Sequence, residues 1–598
     1  LMVSNMRFPL RNLILSYLIT IIIISAFSGI ISSAYVEKLP TPRESDLLGL
    51  KVIELTNPIQ NEVIKWFGVI NEVSVLATVP KDGYYVLFLN NSGEHVGTHV
   101  DAPVHFYYDG LFINELPLDV LYGVAVVIDA RKYVSHPNDT ITMNELMDWE
   151  RSVGVSIPKG SIVLLYTGWA SYWGLYTSWD QYWSIARGWP GLSPDAARYL
   201  VSKGIVGVGI DTLSIDPAPA MNFPAHYILT EANIYIIENI NTNLEKLADN
   251  AVFLLLAPMK TKYGSAGPGL ELLAIYDPNA DIHLNLLLAS MIKASLDQVE
   301  KFDLAFTVEN GIPAWFTIWR GFKTLGTPKE MISTYGAYYG FLTMNEHTGT
   351  HMDAPAHFAV GVWRIDEVPL DRFWGRAVIM DMRPYIRHPN YSITVEDIKS
   401  WEEKTGIRIG RNDIVLVYTG WARYWGTYRT WDEYWNTIGR GFPGLSPDAA
   451  RYLVNKGIKG IALDTLSVDP PTQAVDFPAH KILVNANIWI GENYNLAILP
   501  KKDTTAFILS LPAMLVKEGS GAPARPILIY NFNLESIVNQ YKALKNLLYS
   551  ENNVKTLTTA ATSGSLLSSH AVLALSLVLA FTSVLFITVY YRNKQYLN

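Results

Sequence analysis

His95-Val-Gly-Thr-His-Val-Asp-Ala-Pro-Val-His-Phe106 returns as His347-Thr-Gly-Thr-His-Met-Asp-Ala-Pro-Ala-His-Phe358, identical at nine of twelve positions. The first residues of the two stretches stand 252 positions apart (347 − 95), and the chain around them keeps nearly that spacing. Pro190–Leu200 recurs unchanged at Pro443–Leu453, Asp211-Thr-Leu-Ser recurs from Asp464, His226 recurs as His480 and Glu238 as Glu492. Solenoid repeats have periods of about 20–50 residues, so a unit this long is a duplicated domain. We place one copy at 45–295 and the other at 298–545.

Within a copy the pattern is mixed α/β. Ser161–Thr167 is a short apolar run ending at Gly168, which predicts a buried strand. Ser193-Pro-Asp-Ala-Ala-Arg-Tyr-Leu offers an N-cap serine, proline at the first helical position and an acid in the first turn, and Gly204 ends that helix. Ile205–Asp211 reads as a second buried strand, so the unchanged Pro190–Leu200 block is architecture rather than chemistry. The aromatic-rich Trp169–Trp189 stretch reads as core or lid.

Histidine carries the chemistry. Of 12 in the chain, eight fall at matched positions of the two motifs: His95, His99, His105, His226, His347, His351, His357 and His480. His136 and His388 form a further pair in His-Pro-Asn turns, where a loop role is expected. Positions 95, 99, 101 and 105 share one face of an extended chain, but six strand residues span about 20 Å, too far for one metal shell. The chain therefore has to bend, and Gly97 and Pro103 permit it, which predicts a strand end running into a tight loop. Pro224–Glu231 reads as a short helix and Ile234–Asn239 as a strand, so a turn between them returns Glu238 to His226. Three histidines, an aspartate and a glutamate are then together, with one histidine left over. These N/O donors suffice for two divalent ions if Asp101 bridges.

Composition removes other classes. The chain of 598 residues is 49% hydrophobic and only 17% charged, with mean hydropathy +0.14, which excludes a disordered polymer. A net charge of −8 argues against a nucleic-acid partner. Cysteine is absent, which removes disulfides, thiolate metal sites and cysteine nucleophiles. No Gly-x-Ser-x-Gly elbow occurs, which disfavours a covalent acyl intermediate.

Two uncharged runs account for the apolar excess. Leu13–Ile31 follows Arg7 and Arg11, so residues 1–34 read as a signal peptide or an uncleaved signal anchor. Ala571–Val589 precedes Tyr590, Tyr591, Arg592 and Lys594, so 571–591 reads as a transmembrane helix with a basic cytoplasmic end, joined by a Ser/Thr-rich stalk at 551–570. Both readings of the N-terminus place the body outside the cytoplasm, anchored in the cell membrane. Sequons at Asn90, Asn138 and Asn390 are compatible with that.

The pattern His-x-Gly-Thr-His-x-Asp-x-Pro-x-His-Phe, followed by His-x11-Glu-Asn, resembles the cyclase-like family of metal-dependent hydrolases. The resemblance implies, for each copy, a compact α/β domain around a curved, barrel-like β-sheet. It implies two divalent metals per copy, Zn²⁺ or Mn²⁺, with His95, His99 and Asp101 at one and Asp101, His226 and Glu238 at the other. In the second copy the ligands would be His347, His351, Asp353, His480 and Glu492. His105 and His357 would be general acid/base groups. The implied reaction is hydrolysis of an amide, lactam or ester bond of a small molecule by activated water. The alternative class is a surface module that binds metal without catalysis, which would not need His105 or His357. The family's dimerisation, with the short link near 295–300, implies that the copies pack as an intramolecular pseudo-dimer. A tryptophan ahead of the motif and a closing arginine are also implied near the substrate, matched by Trp66, Trp315 and Arg525. Glu271 occupies the place of Arg525 in the first copy, so the pockets are expected to differ; a salt bridge that closes the domain is the other reading of Arg525.

Overall fold

The computed structural model describes residues 42–61, 72–173, 187–220, 222–310, 321–427, 441–473 and 475–549. The segments read as signal, stalk and membrane helix lie outside the described residues, as do Trp66, Trp315 and the middle of the Trp169–Trp189 stretch. Among the described residues no helix is long and apolar enough to cross a membrane.

Each copy is built on one curled mixed sheet. In the second copy the order is Lys301–Asp303, Gly521–Ile529, His351–Asp353, Trp489–Glu492, Gly460–Leu463, Ile414–Tyr418, Trp374–Asp381, Thr504–Pro512. Thr504–Pro512 pairs back onto Gly521–Ile529, so seven strands close into a barrel. In the first copy the equivalent of Gly521–Ile529 is broken into Ala266–Gly267 and Glu271–Tyr276. Between them Gly269, which follows Pro268, the counterpart of Pro523, is left-handed (φ 54°), and the ladder opens into a ten-stranded half-barrel.

The predicted elements are present. The strand is Ile162–Tyr166, the capped helix is Pro194–Lys203 with Ser193 accepting from Ala196 N, and Gly204 ends it at φ 69°. Helices on the outside, Met143–Val153 and Pro194–Lys203 with their counterparts, cover a face whose strands read as continuous apolar runs, as buried parallel strands require.

The copies meet in a shared four-stranded sheet. Its order is Gly321–Thr324, Gly340–Asn345, Val86–Gly93, Glu72–Ala77, so the central pair joins one copy to the other, antiparallel, with Phe341 opposite Gly93. Their cores also merge: Leu288 and Ile292 of the helix Ile282–Asp297 belong to one apolar cluster with Trp374, Leu511 and Leu528.

Candidate metal and catalytic centre

The His motif bends as its glycine and proline require. Gly97 is left-handed (φ 66°), and a Cβ there would stand 2.8 Å from the Asn57 carbonyl. A three-residue strand, His99–Asp101, follows, then a single turn of 3₁₀ helix at Pro103–His105. His226 sits in the helix Pro224–Glu231, and Glu238 ends the strand Tyr235–Glu238, directly opposite His99 in the ladder. Five side chains from three segments thereby reach one buried point.

The geometry nearly repeats in the two copies. His99 Nε2 lies 3.4 Å from both Asp101 Oδ1 and Glu238 Oε2, while His226 Nε2 lies 3.4 Å from Asp101 Oδ2 and 3.2 Å from Glu238 Oε1. In the second copy His351 Nε2 is 3.5 Å from Asp353 and 3.3 Å from Glu492, and His480 Nε2 is 3.3 and 3.2 Å from the same carboxylates. His95 Nδ1 approaches Asp101 Oδ1 at 2.8 Å, and His347 Nδ1 approaches Asp353 at 2.6 Å.

These groups fit a divalent cation. His99 Nε2 and both Asp101 oxygens are buried without a hydrogen-bond partner, as are His351 Nε2 and Asp353 Oδ2. Leaving such atoms unpaired is expensive unless something positive sits among them. Tautomers agree. His99 Nδ1 faces the Gly97 carbonyl at 3.1 Å and His226 Nδ1 faces Asp216 Oδ2 at 2.7 Å; both partners only accept, so each Nδ1 carries the proton and each Nε2 presents a lone pair. For His95 the order is reversed. Ser265 Oγ gives its hydrogen to Glu94 Oε2 at 2.7 Å and so accepts from His95 Nε2 at 3.2 Å, which frees Nδ1 towards Asp101. Ser520, Glu346 and His347 repeat that chain at 2.6 and 2.9 Å.

Electrostatics separate the roles. Burial works to lower His99 and His226, but the nearby Glu238 and Asp101 carboxylates and, for His226, Asp216 outweigh it and push both up. Asp101 is held well below the ordinary carboxylate range: burial would raise it, but His95 and His105 prevail. His105 goes the other way. Burial, reinforced by His95 and His226, holds it well below an ordinary imidazole, and burial with His347 and His480 does the same to His357. The histidine that burial holds below an ordinary imidazole in each cluster is therefore the one left over from the expected ligand set.

That histidine is oriented across the copies. His105 Nδ1 donates to the Tyr338 carbonyl at 2.6 Å, and Tyr338 N donates back to the His105 carbonyl at 2.8 Å. His357 does the same with Tyr85, at 2.7 Å in each direction. With Nδ1 committed, Nε2 is the free lone pair of each ring. The glutamate behind each His95-type ligand is tied across as well: Gly340 N donates to Glu94 at 3.0 Å and Leu87 N to Glu346 at 2.9 Å.

The sequence reading and the structure differ at particular residues. The structure sets His99 and Glu238 against Asp101 as one compact group, and His95, Asp101 and His105 as another, so His105 stands closer to the ligands than its expected role alone requires. His95 and His105 rings stack at 4.0 Å. Arg525 is buried and donates to Asp303, the ion pair that was its other reading, and to the Pro258 carbonyl of the first copy. Glu271 at the matching place is paired with Arg43, which also holds Glu54. Sequence reasoning missed Glu94, Asp216, Ser265 as a ligand-orienting group, and the carbonyls of Tyr85 and Tyr338. Glu94/Glu346 and Asp216/Asp469 recur between the copies, so the same internal comparison could have found them.

Comparison with known proteins places this arrangement. The Cyclase family model matches residues 53–217 and 302–470, together more than half of the chain. Isatin hydrolase of Roseibium aggregatum is 33% identical over 186 residues, 29% of this chain and 70% of that protein. Kynurenine formamidase of Paracidovorax citrulli is 29% identical over 180 residues, 29% of this chain and 73% of that protein. Among solved structures, isatin hydrolase A from Labrenzia aggregata bound to benzyl benzoate is 27% identical, with a TM-score of 0.33, over 38% of this chain and 94% of that one.

Proposed function

Since the chain belongs to the Cyclase family, we propose that it is a metal-dependent hydrolase of C–N bonds other than peptide bonds, cleaving an amide or lactam of a small molecule, with esters as a related class. The observation that carries this reading is the convergence, in each copy, of orphaned buried ligand atoms with a neutral imidazole whose Nε2 is free. Each copy would hold Zn²⁺ or Mn²⁺, two ions when saturated, on His95, His99, Asp101, His226 and Glu238 or on His347, His351, Asp353, His480 and Glu492.

A divalent cation bound there supplies a Lewis acid for the substrate carbonyl and lowers the pKa of a bound water from about 15.7 towards 7. The chain's own residues do the rest. His105 Nε2 takes a proton from the attacking water and returns it to the departing nitrogen, and Tyr338 keeps the ring from turning its wrong nitrogen inward. Asp216 and Ser265 hold the ligand rings in register. His357, Tyr85, Asp469 and Ser520 take these parts in the second copy.

The two copies act as an intramolecular pseudo-dimer, a reading supported by the reciprocal His105–Tyr338 and His357–Tyr85 bonds. The proposed location is the cell membrane with both copies extracytoplasmic, and it rests on the uncharged runs at 13–31 and 571–589 with their basic flanks. A panel of aryl formamides, lactams and esters, offered with added Mn²⁺ or Zn²⁺ to a 40–550 fragment, tests the activity. Metal-dependent turnover of at least one C–N substrate is expected, with elemental analysis approaching four ions per chain. No turnover on the whole panel, or one ion or fewer per chain, would overturn the reading.

A further inference from the structure

The second copy's cavity is partly walled by the first. That cavity is lined by His357, His480, Glu492 and Phe358 of the second copy and by Tyr84 and Val86 of the first. The Tyr84 ring stands 6.4 Å from the His357 ring and 6.3 Å from Phe358, within the range of aromatic contact. It precedes Tyr85, whose carbonyl fixes His357, and follows Gly83, a left-handed helix cap.

Among the described residues the first copy's site has no counterpart of this wall. Gly336 is the matching left-handed cap and Tyr338 the matching carbonyl, so the residue between them, Ala337, corresponds to Tyr84. A methyl group stands where the second site has a phenol. Val86 is likewise replaced by Tyr339, whose ring turns edge-on to Phe341 at 5.9 Å. The first site gains an aromatic elsewhere. Tyr227 packs edge-on against Phe106 at 5.1 Å and donates to the Gly336 carbonyl across the interface, where the second copy has the exposed Lys481.

From this asymmetry we infer that Tyr84 of the first copy is a specificity-determining residue of the second copy's site, so that one chain carries two sites of different selectivity. The inference rests on the hydrolase reading for its substrates but not for its geometry. Single-site forms of the full chain, H105A or H357A, separate the two sites. In H105A, Tyr84→Ala is expected to raise KM for N-phenylformamide about two- to tenfold, the worth of one aromatic pair. In that background kcat should move less than KM, and Tyr84→Phe, which keeps the ring, should preserve KM. In H357A, the same Tyr84→Ala change should not reproduce the KM shift. An unchanged KM in H105A, or an equal shift in both backgrounds, overturns the proposal. Fluorescence titration with 2-aminobenzoate reads the same wall without turnover. If no substrate is hydrolysed but Tyr84→Ala weakens that binding in H105A and Tyr84→Phe restores it, the hydrolase reading fails and the proposal stands. Binding that Tyr84→Ala leaves unchanged in a chain without turnover overturns the proposal itself.

Discussion

His105 and His357 each spend one ring nitrogen on a carbonyl of the other copy, which leaves the second for the proposed proton transfer. Removing either ring should therefore cost one site a general acid/base, about 10²- to 10⁴-fold, and leave the other site working. Metal content decides the accompanying question, because His105 also lies within ligand reach of the His95 and Asp101 cluster. We expect H105A and H357A to retain their ions by elemental analysis; loss of an ion with the ring would make that histidine a ligand. Full activity in the double variant would remove both from the mechanism. A second residue-scale prediction concerns Glu271, which burial and neighbouring Glu54 push up to about 8 although Arg43 opposes them. The folded state then holds a proton that the unfolded chain releases near its ordinary carboxyl value. Stability from this group is highest below that value, falls as pH climbs towards 8, and is flat above, at about 1.4 kcal/mol per unit across the window. Glu271→Gln should flatten the decline of thermal midpoint between pH 5 and 8, on the order of a few kcal/mol in total. An unchanged profile would mean that Glu271 is ionised throughout.

At the scale of elements, what was legible is what local chemistry dictates. Ser193, Pro194 and Gly204 delimit a helix by capping alone, and the structure places it at Pro194–Lys203. The bend in the His motif followed from the distance a strand would impose, and Gly97 supplies it with a positive φ. Glu238 returns to His226 because a short helix and a short strand are antiparallel neighbours around one turn, which spacing suggests without tertiary knowledge. What was not legible depends on partners far apart in sequence. Arg525 finds Asp303 across 222 residues, and nothing local distinguishes that bond from a carboxylate-binding arginine. Tyr85 and Tyr338 act through backbone carbonyls, so their side chains carry no signal of the role. The break at Gly269, which opens the first copy's barrel, shows only when the two strands are set side by side.

For the whole molecule, duplication within one chain has a consequence that two free subunits would not have. The faces that meet are apolar and extensive: Gly340–Asn345 pairs with Val86–Gly93, and the helix Ile282–Asp297 packs into a cluster with Trp374, Leu511 and Leu528. Separating the copies would leave those strand edges and that cluster in water, where unpaired edges seek another edge. It would also strip His105 and His357 of the carbonyls that set their tautomers. Either copy expressed alone is therefore expected to self-associate or precipitate, with sedimentation velocity as the measurement. A soluble dimer of the second copy is the informative case, because Tyr338 corresponds to Tyr85 and would offer His357 an equivalent carbonyl. Its sites would carry Ala337 where the intact chain places Tyr84, so they should bind aromatic substrates with the raised KM of Tyr84→Ala. A well-behaved, active monomer of either copy would show that neither the shared sheet nor the exchanged carbonyls are needed.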